Sequence, residues 1–311
     1  MFNKNTKIFI AGHTGMVGSS IWRLFKRKGF KNLIGFTFSN LDLRNKSEVN
    51  RYIKIEKPEV IINAAAKVGG ILANEKFPFD FLLDNMMIQN NLISAANTYD
   101  ISKFIFLGSS CIYPKFSKQP IHEKYLLSGK LEETNQWYAI AKISGLKLVE
   151  AVNKQFARKY ISLMPTNLYG PNDNFDYNSS HVLPAMIRKF HDSKISKSDV
   201  NLWGTGSPLR EFLHVDDLAN AVLLLLNNNP KYDLYNIGSG DELSILQLSK
   251  IVQSVVGHKG KINWNKNMKD GTPRKFLSSK RIKDEGWEPN ISLKHGIEKT
   301  YSWFLENFNE E

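Results

Sequence analysis

Tyr138 and Lys142 have the residue types and the spacing that suit acid–base catalysis. If this segment is helical, side chains four residues apart lie on one face, so the phenol and the ammonium are neighbours. A nearby positive charge lowers the pKa of a tyrosine, which can then give or take a proton near neutral pH. Spacing alone is weak evidence, because Tyr99 and Lys103 form a second pair of this kind. That pair straddles a predicted helix end and strand start, so its side chains need not share a face.

Two further reactive side chains follow a predicted strand at Phe104–Ser109. Open parallel sheets bind their ligands at the carboxyl ends of the strands, where Ser109 and Cys111 are expected. In that position the hydroxyl of Ser109 can hydrogen-bond a substrate carbonyl that Tyr138 protonates. The simpler alternatives are a polar turn at Ser109 and a small buried apolar residue at Cys111.

A glycine-rich loop stands between the first predicted strand and the first predicted helix, with the pattern G-x-x-G-x-x-G. Glycines let the backbone turn tightly and approach a pyrophosphate, whose charge is stabilised by the free N–H groups of a helix N-terminus. The histidine in the loop is expected to shape it rather than to react. The pattern predicts a dinucleotide cofactor in contact with Gly12, His13, Thr14, Gly15, Met16, Val17 and Gly18.

The end of the second predicted strand bears on the choice of cofactor. A site selective for NAD usually has an acid there to hold the ribose 2′-hydroxyl, whereas an arginine accommodates a 2′-phosphate. Here Thr37, Phe38 and Ser39 supply neither. Because a missing acid removes repulsion against a phosphate, NADP is favoured over NAD, although hydroxyl groups hold a phosphate less strongly than an arginine does.

The elements that must position these residues follow a repeated pattern. Up to residue 165, short β-branched or aromatic runs alternate with amphipathic stretches, which is typical of βαβ units and a parallel sheet. The predicted strands are Lys7–Ala11, Asn32–Phe36, Val60–Asn63, Phe104–Ser109 and Ile161–Pro165, and the predicted helices are Met16–Lys28, Lys46–Glu56, Phe79–Tyr99 and Trp137–Lys159.

The texture of the sequence changes after Pro165, where loops rich in Asn, Gly and Pro separate shorter elements. We predict an α/β protein with a Rossmann-type, doubly wound parallel sheet in residues 1–170. A smaller C-terminal α/β lobe in residues 171–311 is predicted to bind the substrate. A segment near residues 211–228 is expected to return to the first sheet.

Composition excludes several classes of protein. The chain has 311 residues and one cysteine, so an intrachain disulfide and a cysteine-based metal cluster are excluded, no metal is expected, and a reducing, cytoplasmic compartment fits best. The apolar stretch Ile8–Ala11 is too short for a signal segment and Ala221–Leu226 is too short for a membrane span. The net charge of +12 is scattered along the chain, which favours a phosphate-bearing small substrate over nucleic acid.

Motifs along nearly the whole chain resemble the extended short-chain dehydrogenase/reductases and, within them, the GDP-L-fucose synthase subfamily. So many motifs in one order are not expected by chance. The matching motifs are GHTGMVGS (Gly12–Ser19), NAAAKVGGILAN (Asn63–Asn74), LGSSCIYP (Leu107–Pro114), YAIAK (Tyr138–Lys142), MPTNLYGPNDNF (Met164–Phe175), SSHVLPA (Ser179–Ala185), REFLHVDDLA (Arg210–Ala219) and DGTPRK (Asp270–Lys275).

The resemblance implies 3,5-epimerisation and NADPH-dependent 4-reduction of a GDP-4-keto-6-deoxy-hexose. The catalytic triad of the family falls on Ser109, Tyr138 and Lys142, and its two epimerisation groups fall on Cys111 and His181. A thiol and an imidazole suit this step, because the ketone acidifies the protons at C-3 and C-5. Without the resemblance, His181 is more simply explained as a helix-start or core histidine.

The resemblance also assigns binding residues and a homodimer. The dimer is expected to pair the helices Phe79–Tyr99 and Trp137–Lys159 with their symmetry mates. The GDP-sugar contacts fall on Asn167, Lys189, Trp203, Arg210 and Asp270, and further cofactor contacts fall on Leu107, Gly108, Ser109, Ser110, Lys142, Pro165, Asn167, Leu168 and His181.

Two departures and three alternatives accompany the resemblance. Relatives commonly carry arginine where this chain has Thr14 and Phe38, which bears on the preference for NADP. The main alternative is a C-4 reductase of a GDP-4-keto-heptose, with or without epimerisation. More distant alternatives are an epimerase or dehydratase that recycles bound NAD, and a non-catalytic nucleotide-sugar binder.

Overall fold

The computed structural model describes residues 2–268 and 270–308. Its strands are, in chain order, β1 (Ile8–Ala11), β2 (Leu33–Ile34), β3 (Val60–Asn63), β4 (Lys103–Leu107), β5 (Ile161–Pro165), β6 (Asn167–Tyr169), β7 (Val200–Trp203), β8 (Leu209–His214), β9 (Leu234–Ile237), β10 (Glu242–Ser244), β11 (Ile262–Asn265) and β12 (Arg274–Lys275). Its α-helices are α1 (Met16–Arg27), α2 (Lys46–Glu56), α3 (Ile71–Lys76), α4 (Pro78–Thr98), α5 (Gln136–Phe156), α6 (Val182–Ile195), α7 (Val215–Asn227), α8 (Ile245–Val256), α9 (Lys280–Lys283) and α10 (Leu293–Asn307), and 3-10 helices span Ser110–Ile112, Glu123–Tyr125 and Glu133–Asn135.

The central sheet is parallel and has the strand order β2-β1-β3-β4-β5-β9. Every residue of β1, β3, β5 and β9 is buried, because helices cover both faces of the sheet. Helices α1 and α7 pack on one face, and α2, α4 and α5 pack on the other. The predicted doubly wound, Rossmann-type fold is confirmed.

Six elements have bounds that differ from the prediction: β1, α1 and α4 differ by one residue at one or both ends, and β2, β4 and α5 differ by more. Strand β4 ends at Leu107, and Ser109 instead caps a 3-10 turn, in which its Oγ accepts a hydrogen bond from the N–H of Cys111 at 3.2 Å. Helix α5 ends at Phe156, because Ala157 adopts the left-handed conformation with φ 54°. Strand β2 is only two residues long, so the chain leaves the sheet before Gly35.

The second lobe is built on smaller sheets. Strand β8 pairs with β6, β10 and β12, and β7 pairs with β11. Residues 211–214 of the predicted return segment belong to β8, so the return to the first sheet begins with α7, which packs against α1. It continues into β9, which adds the last strand to the central sheet. The two lobes therefore interleave in sequence.

The described residues form neither a membrane-spanning helix nor a metal-binding cluster. No helix among them is long and apolar enough to cross a membrane. No group of three or more His, Cys, Asp or Glu side chains among them could hold a metal ion.

Candidate active site

The predicted tyrosine and lysine lie together on the first two turns of α5. The Nζ of Lys142 is 5.7 Å from the centroid of the Tyr138 ring and donates a hydrogen bond to the carbonyl of Leu107, at the end of β4, at 2.9 Å. Burial lowers the pKa of Lys142 to about 7. The lysine thus ties α5 to the carboxyl edge of the sheet.

The predicted depression of the tyrosine pKa is wrong. Burial, and next the negative charge on Cys111, raise the pKa of Tyr138 far above its usual value. The effect of burial outweighs that of the neighbouring ammonium. Lys142 itself holds its proton less strongly than an exposed lysine, because burial lowers its pKa. Tyr138 therefore keeps its proton at neutral pH, which is the form that donates.

Cys111 lies beside the pair and has two polar neighbours that the sequence did not single out. Its Sγ accepts a hydrogen bond from Nδ2 of Asn135 at 3.3 Å and from Nζ of Lys275 at 3.7 Å. Asn135 immediately precedes α5, and Lys275 ends β12, which pairs with β8 in the second lobe. The sulfur of Cys111 thus has an amide and an ammonium as hydrogen-bond donors.

His181 stands at the N-cap position of α6, exposed at the cleft. Desolvation by the surrounding protein, and next the ammonium of Lys275, lower its pKa. The loop before it is fixed against the glycine pair at 69–70, since the N–H of Gly70 donates to the carbonyl of Ser179 at 2.8 Å. A side chain at Gly70 would lie 2.5 Å from the carbonyl oxygen of Ser180. Lys275 therefore acts electrostatically on both Cys111 and His181.

Arg210 is the centre of the predicted GDP-sugar contacts. It lies on β8, where burial lowers its pKa against the opposing charges of Cys111, Glu132 and Asp270. Asp270 accepts hydrogen bonds from the N–H of Thr205 at 3.0 Å and from its hydroxyl at 2.7 Å. A side chain at Gly271, which follows Asp270, would lie 3.2 Å from Nη2 of Arg210.

The remaining substrate candidates lie on either side of this centre. The Nζ of Lys189 is 4.9 Å from the centroid of the Trp203 ring, and Trp203 is 46% exposed. The next residue, Gly204, abuts Asp270, because a Cβ there would lie 2.2 Å from its Oδ1. Nδ2 of Asn167 donates to the carbonyl of Glu211, the residue after Arg210, at 2.8 Å.

The glycine loop has the shape that a dinucleotide requires. A Cβ at Gly12 would lie 2.8 Å from the backbone of Ala65, and one at Gly18 would lie 2.1 Å from the carbonyl oxygen of Gly12. Gly15 is the N-cap of α1 and offers no side-chain cap, so the first N–H groups of the helix are free for an anion. Asn63, at the end of β3, buries both amide atoms without a partner. These features fit a bound pyrophosphate.

The other predicted cofactor residues take several positions. His13 packs on Trp22 at 5.2 Å between ring centroids and against Gly35, and burial lowers its pKa, as expected of a residue that shapes the loop. Gly108 lies against Met164, so the β4 exit runs close to β5. Thr14 is exposed, Pro165 is buried, and Met16, Val17, Leu168 and Ser109 are half-buried.

The edge expected to hold the 2′-phosphate carries a cation that the sequence did not indicate. Phe38 is 69% exposed, and the guanidinium of Arg44 lies 5.0 Å from its ring centroid. Arg44 also forms ion pairs with Asp42 at 2.9 Å and with Asp84 at 3.2 Å. The hydroxyls of Thr37 and Ser39 are 2.9 Å apart beside it.

A doubly wound sheet, a glycine cradle and a Tyr–Lys pair at the carboxyl edge define a dinucleotide-dependent enzyme of the short-chain dehydrogenase/reductase type. Residues 8–238 match the model of the NAD dependent epimerase/dehydratase family. The chain belongs to this family.

Relatives within the family share nearly the full length of the chain. It is 53% identical to a putative GDP-L-fucose synthase 2 of Arabidopsis thaliana, covering 99% of this chain and 94% of the relative. It is 47% identical to a GDP-L-fucose synthase of Escherichia coli K12, with 97% of each chain covered. The resemblance predicted from the motifs is confirmed.

A solved structure matches the second lobe as well as the first. A GDP-D-glycero-L-gluco-heptose synthase from Campylobacter jejuni, determined in the presence of NADPH, is 34% identical. The TM-score is 0.91, and the match covers 98% of this chain and 100% of that chain.

Proposed function

We propose that the protein converts GDP-4-keto-6-deoxymannose into GDP-L-fucose by 3,5-epimerisation followed by NADPH-dependent 4-reduction. The observation that carries this proposal is the position of Cys111, which lies within the electrostatic reach of Tyr138 on one side and of Arg210 on the other. Cys111 is thus an electrostatic neighbour both of the tyrosine to which we assign reduction and of the arginine to which we assign the diphosphate. The identity of the relatives supports the GDP-sugar as substrate.

Epimerisation needs a proton removed from a carbon beside the ketone and one returned on the opposite face. We assign these transfers to Cys111 and His181. The ammonium of Lys275 donates to the sulfur of Cys111. Desolvation, and next the charge of Lys275, lower the pKa of His181, which favours the neutral imidazole that accepts a proton. Asn135 fixes the sulfur by donating to it at 3.3 Å.

Reduction uses Ser109, Tyr138 and Lys142. When bound, the cofactor supplies the hydride that C-4 receives. The Oγ of Ser109 already accepts the N–H of Cys111, so its own O–H remains available to donate to the substrate carbonyl. Tyr138, protonated at neutral pH, gives the proton to the resulting oxygen. Lys142, held by its hydrogen bond to the carbonyl of Leu107 at the end of β4, positions Tyr138.

The GDP group is proposed to bind along β8 and the loop at 270–271. Arg210 suits the diphosphate because its guanidinium presents paired N–H donors. Trp203 offers an exposed aromatic face, with Lys189 beside it. Asp270 is held by Thr205 in a position to accept hydrogen bonds from the nucleoside.

The finer points of cofactor and assembly are part of the same proposal. NADP is preferred, supported by residues 35–40, which contain no acid, and by Arg44 beside Phe38. A homodimer through α4 and α5 is supported by the exposed side chains Leu83, Met87 and Ile140, each between 37 and 40% exposed. A thiol that must stay reduced favours the cytoplasm.

The test is product analysis in heavy water. Purified protein, GDP-4-keto-6-deoxymannose and NADPH should give cofactor oxidation with deuterium at both C-3 and C-5, located by NMR. Oxidation without label would mean a simple C-4 reductase, and turnover without oxidation would mean an isomerase that recycles its cofactor.

The second candidate is reduction of a GDP-4-keto-heptose, favoured by the likeness to the Campylobacter heptose synthase. The same assay with a GDP-4-keto-heptose separates the two. The proposed activity requires a higher kcat/KM for the 6-deoxy-hexose.

A further inference from the structure

A cavity of about 580 Å³ opens at the amino-terminal edge of the central sheet. Its walls come from residues 102–105 at the start of β4, from Asn153 on α5 and residues 158–161 at the start of β5, and from residues 225–226 at the end of α7 and 228–233 before β9. The candidate active site lies beyond the opposite, carboxyl ends of the same strands, so the two are separate. The volume falls within the range of about 300–1,000 Å³ that is usual for small-molecule sites.

The lining of this cavity has an excess of positive charge. Lys103, Arg158, Lys159 and Lys231 face one acid, Asp233. Arg158 forms an ion pair with Asp100, outside the cavity. Among residues 2–268 and 270–308, none of the three lysines has a carboxylate within ion-pair distance. The cavity lining therefore has three lysines without an ion-pair partner and a single carboxylate, that of Asp233.

The environment of Lys103 makes its lack of a counter-charge costly. Its ammonium donates to the carbonyl of Leu226 and lies 5.7 Å from the centroid of the Phe2 ring. Burial lowers its pKa, as expected for a charge that has lost water without gaining an opposite charge. An anion bound in the cavity would supply the opposite charge that the ammonium of Lys103 lacks.

Glu285, in the turn after α9, does not supply this counter-charge. Glu285 accepts hydrogen bonds from the backbone N–H of Lys231 at 2.9 Å and from the hydroxyl of Tyr235 at 2.8 Å. Its charge is therefore directed at a backbone group and a phenol. The side chains of Lys159 and Lys231 are exposed to solvent.

We propose that this cavity binds a small molecule that carries a diphosphate, with the phosphate oxygens held by Lys103, Lys159 and Lys231. A diphosphate supplies enough negative charge for the ammonium groups of these three lysines. The volume leaves room for an attached nucleoside, and Tyr232, 42% exposed, offers an aromatic wall with Arg281 already 4.4 Å from its ring centroid. This site does not depend on the proposed activity.

The test is calorimetric titration of the full chain with GDP and, separately, with inorganic pyrophosphate. We expect two GDP sites per chain. Arg210→Ala should remove the sugar-nucleotide site only, and the double variant Lys159→Gln/Lys231→Gln should weaken the other site about tenfold or more. The double variant Lys54→Gln/Lys250→Gln makes the same charge change at exposed lysines outside the cavity, and it should bind like the wild type.

Three results would overturn the proposal. One is a single GDP site that disappears in Arg210→Ala, which would leave the proposed function standing. Another is equal weakening in the two double lysine variants, which would mean only long-range attraction. The third is a cavity that takes up neither probe. Binding of pyrophosphate as tight as that of GDP supports a diphosphate site, and tighter binding of GDP adds the nucleoside to it.

Discussion

The Nζ of Lys275 lies 3.7 Å from the Sγ of Cys111, although 164 positions separate the two residues in the chain. Lys275 is paired in register with Arg210, because β12 lies beside β8. Lys275 of the second lobe thus contacts the thiol of Cys111, which follows strand β4 of the first sheet.

Replacing Lys275 by glutamine should slow epimerisation and leave the affinity for the cofactor unchanged. A hydrogen bond to a charged partner contributes about 1.5–3 kcal/mol, so deuterium uptake from heavy water should fall about 10- to 100-fold. NMR of the product measures this uptake, and titration with NADP⁺ should give an unchanged Kd. Lys275→Arg keeps the charge and should recover part of the rate. Equal uptake by wild type and Lys275→Gln would remove the lysine from the mechanism.

Replacing Tyr138 by phenylalanine should abolish reduction while leaving the fold intact. The ring is packed edge-on against Phe81 at 6.5 Å between centroids, a contact that phenylalanine preserves. Loss of the proton donor should lower the rate of NADPH oxidation about 10²–10⁴-fold, with the affinity for NADP⁺ retained. Undiminished oxidation would show that another group protonates the C-4 oxygen.

Much of the first sheet could be predicted because its signals are local. Strands β3 and β5 and helix α2 have the predicted bounds, since continuous apolar runs and a 3.6-residue period are visible within each segment. The loop between β1 and α1 is likewise marked by its own glycines. These patterns need no knowledge of distant residues.

The contacts that define the candidate site depend on distant residues and could not be read in this way. Strand β12 has two residues, too few for any periodicity, yet it brings Lys275 to Cys111. The direction of the Tyr138 pKa depends on burial, which a helical spacing does not reveal. Arg44 meets Phe38 only because β2 ends early.

Replacing Gly70 by alanine should disturb the position of His181. The new Cβ would lie 2.5 Å from the carbonyl oxygen of Ser180, a backbone atom that has to shift. Deuterium uptake should fall, whereas the Kd for NADP⁺, which we propose to bind at the glycine loop, should stay the same. Gly129→Ala is a matched control, because its Cβ would meet only the Pro114 ring, at 3.3 Å. A similar loss in both variants would point to general destabilisation.

Replacing Arg44 by alanine should reduce the preference for NADP⁺ over NAD⁺. The guanidinium is the cation beside Phe38, and its removal should weaken NADP⁺ binding about tenfold with little change for NAD⁺. Fluorescence titration of both cofactors gives the ratio. Arg51→Ala, an exposed arginine on α2, removes the same charge and should leave the ratio unchanged. An unaltered ratio in Arg44→Ala would place the 2′-phosphate elsewhere.

Glu211 should make the free energy of unfolding fall as pH rises. It is fully buried, and its carboxylate accepts the N–H groups of Gly240 at 2.8 Å and Leu277 at 3.2 Å, but burial prevails and raises its pKa from 4.5 to about 7. Between these values the folded chain holds a proton that the unfolded chain has lost, so stability declines through this window by about 3 kcal/mol and levels off above it. Glu211→Gln cannot titrate, so urea titrations from pH 4 to 8 should show a flatter profile, whatever its absolute stability. Asp173, whose pKa burial also raises to about 7, contributes the same slope in both proteins, and Asp173→Asn should remove that part. Parallel profiles for wild type and Glu211→Gln would mean that Glu211 is ionised in the folded protein throughout this range.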